Sequence, residues 1–333
     1  MKRGINMIKL ATIGTSWITE QFIAACQATQ LYEITKIYSR TLKKAQDFAE
    51  KVGEGRGVAT FEELFEADVE VVYIASPNAL HYQQAKMMLE HGKHVIIEKP
   101  QVDNLRQWHD LHQYAKNHHL FIFDAVRHIH TENFRYLKQL VESQRSASTY
   151  PFLGASFTLG QYSSKYDSYV EAMEKHETGP NIFNPEFSGG SLRDLGVYPL
   201  YVALGLFGKP QTVHYHAVNG SNGIDVFGNL ILHYGAFMVT ILVSKGVHSR
   251  QANEIYIQDK TIDISHISEL STIRLLSRDG EIIDQFHQTS ENPMIDEARY
   301  FATTLKDKIF TEEYLAFETL NCQVMEIIDQ IRP

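Results

Sequence analysis

The first 127 residues alternate short apolar runs with amphipathic stretches, and this alternation constrains the fold more than any other feature. The apolar runs are continuous, which is typical of strands buried on both faces of a parallel sheet. Amphipathic helices between such strands indicate a doubly wound α/β domain. The predicted strands are residues 8–13, 33–38, 69–75, 94–97 and 120–123, and the predicted helices are residues 17–29, 41–52, 79–91 and 104–118.

The pattern changes after about residue 127. Several strand-like runs are joined there by short turns, which predicts a largely antiparallel sheet. The predicted strands are residues 152–158, 212–218, 227–233, 237–243, 254–258 and 272–276, and the predicted helices are residues 132–142, 192–207, 293–305 and 312–331. We therefore predict two domains, residues 1–127 and an α+β domain over residues 128–333 with a largely antiparallel open sheet.

Chain length and charge limit the classes of function. A chain of 333 residues is about twice the length of a typical domain, which agrees with two domains. Its formal charge of −9 argues against nucleic acid or an anionic membrane surface as a partner, because both require basic patches. The most apolar stretch, residues 230–243, is interrupted by polar residues and is too short to span a membrane. We expect a soluble protein whose partner is a small molecule.

The cysteines and the N-terminal sequence favour a cytoplasmic location. Cys26 and Cys322 are the only cysteines and lie far apart in the sequence, so no disulfide framework is predicted. The N-terminal residues lack the apolar region of a signal peptide. The sequence leaves open whether Met1 or Met7 is the native start.

The sixteen histidines do not predict a metal site. His109 and His112 are three apart on a charged helix, but no carboxylate stands at metal-binding spacing, so we expect solvated helix surface. Two further pairs are predicted to share strand faces near solvent, namely His128 with His130 and His214 with His216.

The turn after the first strand carries part of a dinucleotide-binding fingerprint. In a full G-x-G-x-x-G motif, the glycines let the backbone approach a pyrophosphate at a helix N-terminus. Here only the first glycine is present, and Ser16 and Thr19 replace the other two. A plain strand–helix turn is the alternative, but its place in the first β-α-β unit favours a cofactor site. The predicted cofactor contacts are Gly14, Thr15, Ser16, Trp17 and Ile18.

The end of the second strand favours NADP over NAD. An NAD site usually has Asp or Glu here, which accepts hydrogen bonds from the ribose hydroxyls. This chain has Ser39 and Arg40, with Lys43 and Lys44 close behind. Arg40 can pair with a 2′-phosphate, and Ser39 can donate to it. The alternative is a solvated basic helix start, so NAD stays possible.

Glu98, Lys99 and Pro100 directly follow the buried strand at residues 94–97. In an open α/β sheet, the ligand crevice lies at the carboxyl ends of the strands, so Lys99 is predicted to face a nicotinamide ring. Burial and a neighbouring pyridinium would both disfavour the charged ammonium form. The alternative is an ordinary strand end at the surface.

A second polar group follows two glycines in the other half of the chain. Ser191 is predicted to cap a helix. Asp194 and Tyr198 are four residues apart and are predicted to share one helical face. A carboxylate and a phenol can hold and deprotonate a hydroxyl, and a nearby cation such as Lys99 would favour the phenolate. The alternative is that Asp194 pairs locally and Tyr198 packs at the edge of the core.

Residues 75–81, 91–100 and 189–198 together resemble the glucose–fructose oxidoreductase/inositol dehydrogenase (Gfo/Idh/MocA) family. The resemblance covers nearly the whole chain and implies an N-terminal Rossmann domain that binds NAD(P). Many members have His where this chain has Tyr198. Tyrosine at this position resembles the dihydrodiol dehydrogenase-like branch, which is usually NADP-linked. The resemblance also implies a homodimer or homotetramer formed through the sheet.

The resemblance implies roles for individual residues as well. The residue matching Lys99 is catalytic, and the residue matching Pro100 often follows a cis peptide bond. Residues matching Pro77, Asn78 and His81 line the cofactor cleft. We add three neighbours to the predicted cofactor contacts, namely Ser76, Glu98 and Arg127.

These observations predict an NADP-dependent oxidoreductase that acts on a secondary alcohol or ketone of a sugar, polyol or related cyclic diol. Tyr198 would move the hydroxyl proton, Lys99 would hold the substrate oxygen and Asp194 would orient the substrate. Arg127 and His128 are predicted substrate contacts. Two alternatives stay open: a non-catalytic regulatory protein that binds NADP(H), and a redox-neutral lyase or hydrolase that oxidises its substrate transiently.

Overall fold

The computed structural model describes residues 7–147 and 152–331. The choice between Met1 and Met7 as the start concerns residues 1–6, which lie outside this described part. The chain forms two compact units. The first comprises the residues up to 127 together with residues 291–318, and the second comprises residues 128–290 together with the residues from 319 onward.

Strands and helices alternate along the first 127 residues. In chain order they are β1 (Ile8–Ile13), α1 (Trp17–Thr29), β2 (Tyr32–Tyr38), α2 (Leu42–Val52), β3 (Arg56–Val58), β4 (Val71–Ile74), α3 (His81–Glu90), β5 (His94–Glu98), α4 (Leu105–Asn117) and β6 (Ile122–Ala125). All the strands and helices predicted for this stretch are present. The short strand β3 was not predicted.

The remaining residues form the other elements. They are α5 (Glu132–Ala147), β7 (Gly154–Gly160), α6 (Tyr166–Glu174), a π-helical turn (Leu192–Gly196), α7 (Val197–Phe207), β8 (Thr212–Asn219), β9 (Asp225–His233), β10 (Met238–Ser244), β11 (Asn253–Ile257), β12 (Lys260–Ile264), β13 (Thr272–Ser277), β14 (Ile282–His287), α8 (Ile295–Asp307) and α9 (Glu312–Gln330). The sequence did not predict α6, β12 or β14. Five of the six residues of β14 are exposed, so it lacks the apolar alternation that marks a strand.

The first unit contains a six-stranded sheet with the strand order β3-β2-β1-β4-β5-β6. Every neighbouring pair is parallel. All four residues of β4 are buried, as expected for a central strand covered on both faces. In the same unit, α8 packs on α1, and Tyr32 Oη donates to the carbonyl oxygen of Ala298 over 2.7 Å. The predicted doubly wound sheet is confirmed, and it brings the carboxyl ends of its strands to one edge.

The second unit contains an eight-stranded sheet with the strand order β14-β13-β12-β11-β7-β10-β9-β8. The pair β7–β10 is parallel and the other neighbouring pairs are antiparallel, so the prediction of a largely antiparallel sheet is confirmed. Alternate residues of β10 are buried on one face of this sheet: Val239, Ile241 and Val243. Across residues 7–147 and 152–331, no helix has both the length and the apolar character needed to cross a bilayer.

Candidate active site

Gly14 makes the first βα turn possible. Its φ is +120°, and a Cβ added there would lie 2.7 Å from the carbonyl oxygen of Ala75, just after β4. Its own N–H donates to the Tyr38 carbonyl oxygen at the end of β2 over 3.2 Å. Gly14 therefore lies where β1, β2 and β4 end, directly before the N-terminus of α1.

The residues after Gly14 leave the start of α1 open to a ligand. Ser16 occupies the N-cap position, but its side chain makes no capping hydrogen bond. Its Oγ lies 3.4 Å from Thr19 Oγ1. Trp17 is 65% exposed. The backbone N–H groups of the first turn of α1 are thus suited to an anionic group such as a pyrophosphate.

Arg40 lies at the carboxyl end of β2, beyond Ser39, whose N–H donates to the Val58 carbonyl oxygen over 3.2 Å. Arg40 is exposed, and no ion pair joins it to a carboxylate within the described residues. Lys43, in contrast, pairs with Asp47 on the surface of α2 over 3.2 Å. Arg40 is therefore available to a phosphate, whereas Lys43 is already paired.

His81 holds two loops of the predicted cofactor cleft together. Its ring is fully buried, with Nε2 lying 2.9 Å from the Ser76 carbonyl oxygen and Nδ1 lying 3.1 Å from the Pro100 carbonyl oxygen. Burial lowers the pKa of this imidazole. Ser76 Oγ in turn donates to Gln84 Oε1 over 2.7 Å. The buried ring therefore positions these two loops, and the expectation that His81 lines the cofactor cleft stays a prediction.

Lys99 stands directly after β5 and is half-buried. The Lys99–Pro100 peptide bond is cis, as the family resemblance implied. Glu98 accepts from Tyr73 Oη over 2.6 Å and from the backbone N–H of Lys99 over 3.2 Å. Burial raises the pKa of Glu98. Glu98 is thus almost fully buried and fixes the backbone of Lys99, and its predicted contact with a cofactor stays a prediction.

The sequence missed Glu297, which lies on α8 in the first unit. Its side chain is fully buried, and neither carboxyl oxygen has a hydrogen-bond partner within the described residues. Burial raises its pKa well above the usual range, and the charge of Glu98 adds to this effect, whereas Arg127 opposes it. Arg127 therefore acts electrostatically on both Glu98 and Glu297, while its predicted contacts with cofactor and substrate stay predictions. A lone glutamate in an amphipathic helix gives no sequence signal for this placement.

In the second unit, a π-helical turn and the start of α7 carry the predicted catalytic group. Asp194 lies in the turn, and Tyr198 is the second residue of α7. π-Helical turns are rare and are frequent at functional sites. The sequence predicted one continuous helix here, because local spacing does not distinguish a π turn from an α turn.

Two buried contacts fix the start of this turn. Asp225 Oδ2 accepts from the Leu192 N–H over 2.7 Å and from Tyr215 Oη over 2.6 Å. Ser191 does not cap the helix, so that prediction is wrong; its Oγ instead accepts from the Lys245 N–H over 3.1 Å. The aspartate is the better placed acceptor for the first N–H because its carboxylate points at the turn.

Asp194 pairs with Lys245, a residue that the sequence did not single out. Oδ2 of Asp194 forms an ion pair with Lys245 Nζ. The lysine side chain is 3% exposed and the aspartate side chain is 26% exposed. A lysine at the end of an apolar strand resembles any strand end in sequence, so the pairing could be found only from the fold.

Tyr198 is half-buried and contacts His128. His128 Nε2 donates to the Tyr198 carbonyl oxygen over 3.0 Å, and the two ring centroids are 5.1 Å apart. His128 is 1% exposed and supports the backbone of Tyr198, and its predicted contact with a substrate stays a prediction. Lys99 belongs to the first unit and Tyr198 to the second, and their meeting stays a prediction.

The structure corrects two predictions about histidines. His112 is buried, with Nδ1 lying 2.7 Å from Glu318 Oε1 and Nε2 lying 3.0 Å from Gln101 Oε1, so it is not solvated surface. His128 and His130 are buried in a 3-10 turn and do not lie on a strand near solvent. Within the described part of the chain, no group of three or more His, Cys, Asp or Glu side chains is arranged to hold a metal ion.

Two family models match this chain. One, GFO_IDH_MocA, is described as an oxidoreductase family with an NAD-binding Rossmann fold and matches residues 8–124. The other, the GFO/IDH/MocA C-terminal domain, matches residues 158–263.

Curated proteins and a solved structure are also similar. The chain is 33% identical to the uncharacterized oxidoreductase YgjR of Escherichia coli K12, over 96% of this chain and 94% of YgjR. It is 34% identical to the scyllo-inositol 2-dehydrogenase (NADP(+)) IolU of Bacillus subtilis, over 94% of this chain and 92% of IolU. The fold is similar to that of KijD10, a 3-ketoreductase from Actinomadura kijaniata solved with NADP and TDP-benzene, with a TM-score of 0.83 and 19% identity over 98% of this chain and 97% of KijD10.

Proposed function

Because the chain belongs to the Gfo/Idh/MocA oxidoreductase family, we propose that it is an NADP-dependent enzyme that exchanges hydride between the nicotinamide and a secondary alcohol or ketone of a sugar, polyol or related cyclic diol. The position of Lys99 carries this proposal. Lys99 follows β5 at the carboxyl edge of the parallel sheet, and β4 alone separates β5 from β1, which ends at the Gly14 turn. The relative IolU, whose name states an NADP-linked dehydrogenation of scyllo-inositol, supports the substrate class.

The first unit has the features that NADP requires. Gly14 allows the tight turn before α1, because a Cβ at this position would collide with the Ala75 carbonyl oxygen. The first turn of α1 offers unbonded N–H groups to the pyrophosphate. Arg40 and Ser39 would hold the 2′-phosphate, which favours NADP over NAD. We therefore assign cofactor binding to the first unit and substrate binding to the second.

The residues of the chain would then act on the substrate hydroxyl. Tyr198 Oη would take the hydroxyl proton during oxidation and return it during reduction. The ammonium of Lys99 would favour the phenolate of Tyr198 and donate a hydrogen bond to the substrate oxygen. Asp194 would accept a hydrogen bond from a second hydroxyl and so orient the ring.

We also propose that the protein associates with itself through the sheet of the second unit. Val218 on β8 is 57% exposed and Met238 on β10 is 46% exposed, so apolar side chains lie on the open surface of this sheet. A homodimer or homotetramer would cover them. Light scattering at micromolar concentration tests this, and a strict monomer contradicts it. A cytoplasmic location and a small-molecule partner complete the proposal.

Titration with NADPH and with NADH, followed by turnover with a panel of polyols and their ketones, tests the function. We expect NADPH to bind about tenfold more tightly than NADH, since one charged contact is worth at least that factor. At least one neutral polyol should reduce NADP in net turnover. Product formation with no net change in NADPH would instead show a redox-neutral enzyme, and no turnover with bound cofactor would favour a regulatory protein.

A further inference from the structure

Lys245 is a buried cation in the second unit, beside the π-helical turn that carries Asp194. It follows β10 directly, and its side chain is 3% exposed. Its ammonium pairs with Asp194 Oδ2 and lies 5.7 Å from the centre of the Phe183 ring. Because a buried charge is costly without a partner, a lysine placed here requires the carboxylate beside it to be ionised.

The backbone fixes the position of this ammonium. The N–H of Lys245 donates to Ser191 Oγ and to the Val226 carbonyl oxygen, each over 3.1 Å. These contacts join the end of β10 to β9 and to the residue before the π-helical turn that carries Asp194. Lys245 and Asp194 are thus held on elements that cannot move apart without breaking buried hydrogen bonds.

Other titratable groups near the pair are engaged elsewhere or belong to the same stretch. Asp225 accepts from Leu192 N–H and from Tyr215 Oη, and burial raises its pKa. The ion pair of Lys245 is with Asp194. Arg193 and Tyr198 stand on the same helical stretch as Asp194. Asp225 on β9 contacts this stretch at Leu192 and bonds Tyr215 on β8, and the ring of Tyr166 on α6 lies against Gly246, the residue after Lys245.

We propose that Lys245 is a positioning residue of the substrate site, which keeps Asp194 ionised and fixed in direction so that it accepts a hydrogen bond from a hydroxyl of a neutral polyol. This role of Lys245 rests on the proposed function, which supplies the polyol substrate, whereas the ion pair with Asp194 does not depend on it. Solvent reaches the carboxylate, at 26% exposure, far more than it reaches the ammonium, at 3%. The accessible member of the pair is therefore the acceptor, while the cation acts through it.

The consequence is a pH dependence with a defined sign. A cation in contact favours the charged carboxylate, so its removal makes Asp194 easier to protonate. A protonated Asp194 loses its role as a charged acceptor. When Lys245 is replaced by a neutral residue, the acid limb of the activity profile should therefore move to higher pH.

The experiment compares wild type, Lys245→Met and Lys245→Arg, with scyllo-inositol and NADP as probes. For Lys245→Met we expect KM to rise about tenfold and the acid limb of kcat/KM to move up by about one pH unit, while NADP binding stays within about twofold. Lys245→Arg should restore most of both values. Lys209→Met is the matched control, because Lys209 forms an exposed pair with Glu326 in the same unit over 2.5 Å. An acid limb that does not move in Lys245→Met overturns the proposal.

A second measurement needs no turnover and separates this proposal from the proposed function. Urea midpoints are measured for Asp194→Asn, Lys245→Met and the double variant. At pH 7 the summed losses of the two single variants should exceed the loss of the double variant, and this excess should decrease as the pH is lowered toward 3, where carboxylates begin to be protonated. Additive losses at pH 7 overturn the proposal, even if wild type oxidises scyllo-inositol. If wild type does not oxidise it, the proposed function fails for this substrate and the cycle alone decides the role of Lys245.

Should Lys245→Met fail to fold, Asp194→Asn carries the test. This variant keeps the lysine and removes the ionisable acceptor. The acid limb of wild type should then disappear from the pH profile of the remaining activity or of scyllo-inositol binding. An unchanged acid limb in Asp194→Asn overturns the proposal.

Discussion

Gly190 lies so close to Asp225 that a Cβ added to the glycine would overlap Oδ1 of the aspartate. The other oxygen, Oδ2, accepts the Leu192 N–H at the start of the π-helical turn. The glycine therefore makes room for the carboxylate that fixes this turn, and the turn places Asp194 beside Lys245.

Replacing Gly190 by alanine should lower stability strongly. The φ of Gly190 is +112°, a backbone angle that residues with a side chain rarely adopt, and the added Cβ would also displace Asp225. We expect a loss of about 2 to 4 kcal/mol in the free energy of unfolding, measured with urea. Gly223→Ala is the control, because Gly223 has a φ of +84° and nothing within 4 Å of its added Cβ. It should lose only about 1 to 2 kcal/mol, and equal losses would show that the contact with Asp225 does not matter.

Lys99→Met should abolish turnover. The ammonium is the group that would hold the substrate oxygen, so we expect kcat to fall by about a hundredfold or more while NADPH binding stays within about twofold. Stopped-flow turnover and a fluorescence titration of NADPH measure the two effects. Lys51→Met is the control, since Lys51 pairs with Glu20 on the surface of the same unit over 2.5 Å. Turnover that survives in Lys99→Met would exclude a catalytic lysine.

Tyr198→Phe should give the same kinetic result for a different reason. The variant keeps the ring and removes only the hydroxyl that would take the substrate proton. The backbone contact of His128 with Tyr198 does not involve this hydroxyl, so the helix should keep its place. Tyr162→Phe is the control, because Tyr162 is 46% exposed in the same unit. Wild-type turnover in Tyr198→Phe would favour another proton acceptor.

Arg40→Ala should change which nicotinamide cofactor the protein prefers. Loss of the cation at the end of β2 should weaken NADPH binding by about tenfold and leave NADH binding within about twofold. Isothermal titration with both cofactors measures the change. Lys43→Ala serves as the control, since the Lys43 side chain is 86% exposed and pairs with Asp47. Equal weakening of both cofactors would mean that Arg40 does not contact the 2′-phosphate.

The sequence predicted the features that depend on local spacing. The continuous apolar runs predicted the parallel sheet. Because one of these runs ends as β5, they also predicted that Lys99 stands at the carboxyl end of a strand. The contacts that form the site join residues far apart in sequence: Lys245 and Asp194 are 51 positions apart, and Asp225 and Leu192 are 33 positions apart. Such pairs depend on the register of β9 and β10, which a single sequence does not specify. The sequence likewise does not specify that α8 packs in the first unit, where Glu297 is buried.

His94 should make the first unit less stable in mild acid. Burial lowers the pKa of its imidazole to about 4, and Nδ1 accepts the Phe121 N–H over 3.0 Å, which requires the neutral ring. An unfolded histidine has a pKa of about 6.5, so the unfolded chain takes up a proton first as the pH falls. The stability from neutral His94 is therefore complete above about pH 6.5 and is lost progressively down to about pH 4, by at most about 3 kcal/mol. Urea unfolding between pH 7 and pH 4 measures this loss, which should shrink in His94→Gln and persist in His216→Gln, whose ring is exposed on β8. Equal pH dependence in wild type and His94→Gln would show that another group titrates in this range.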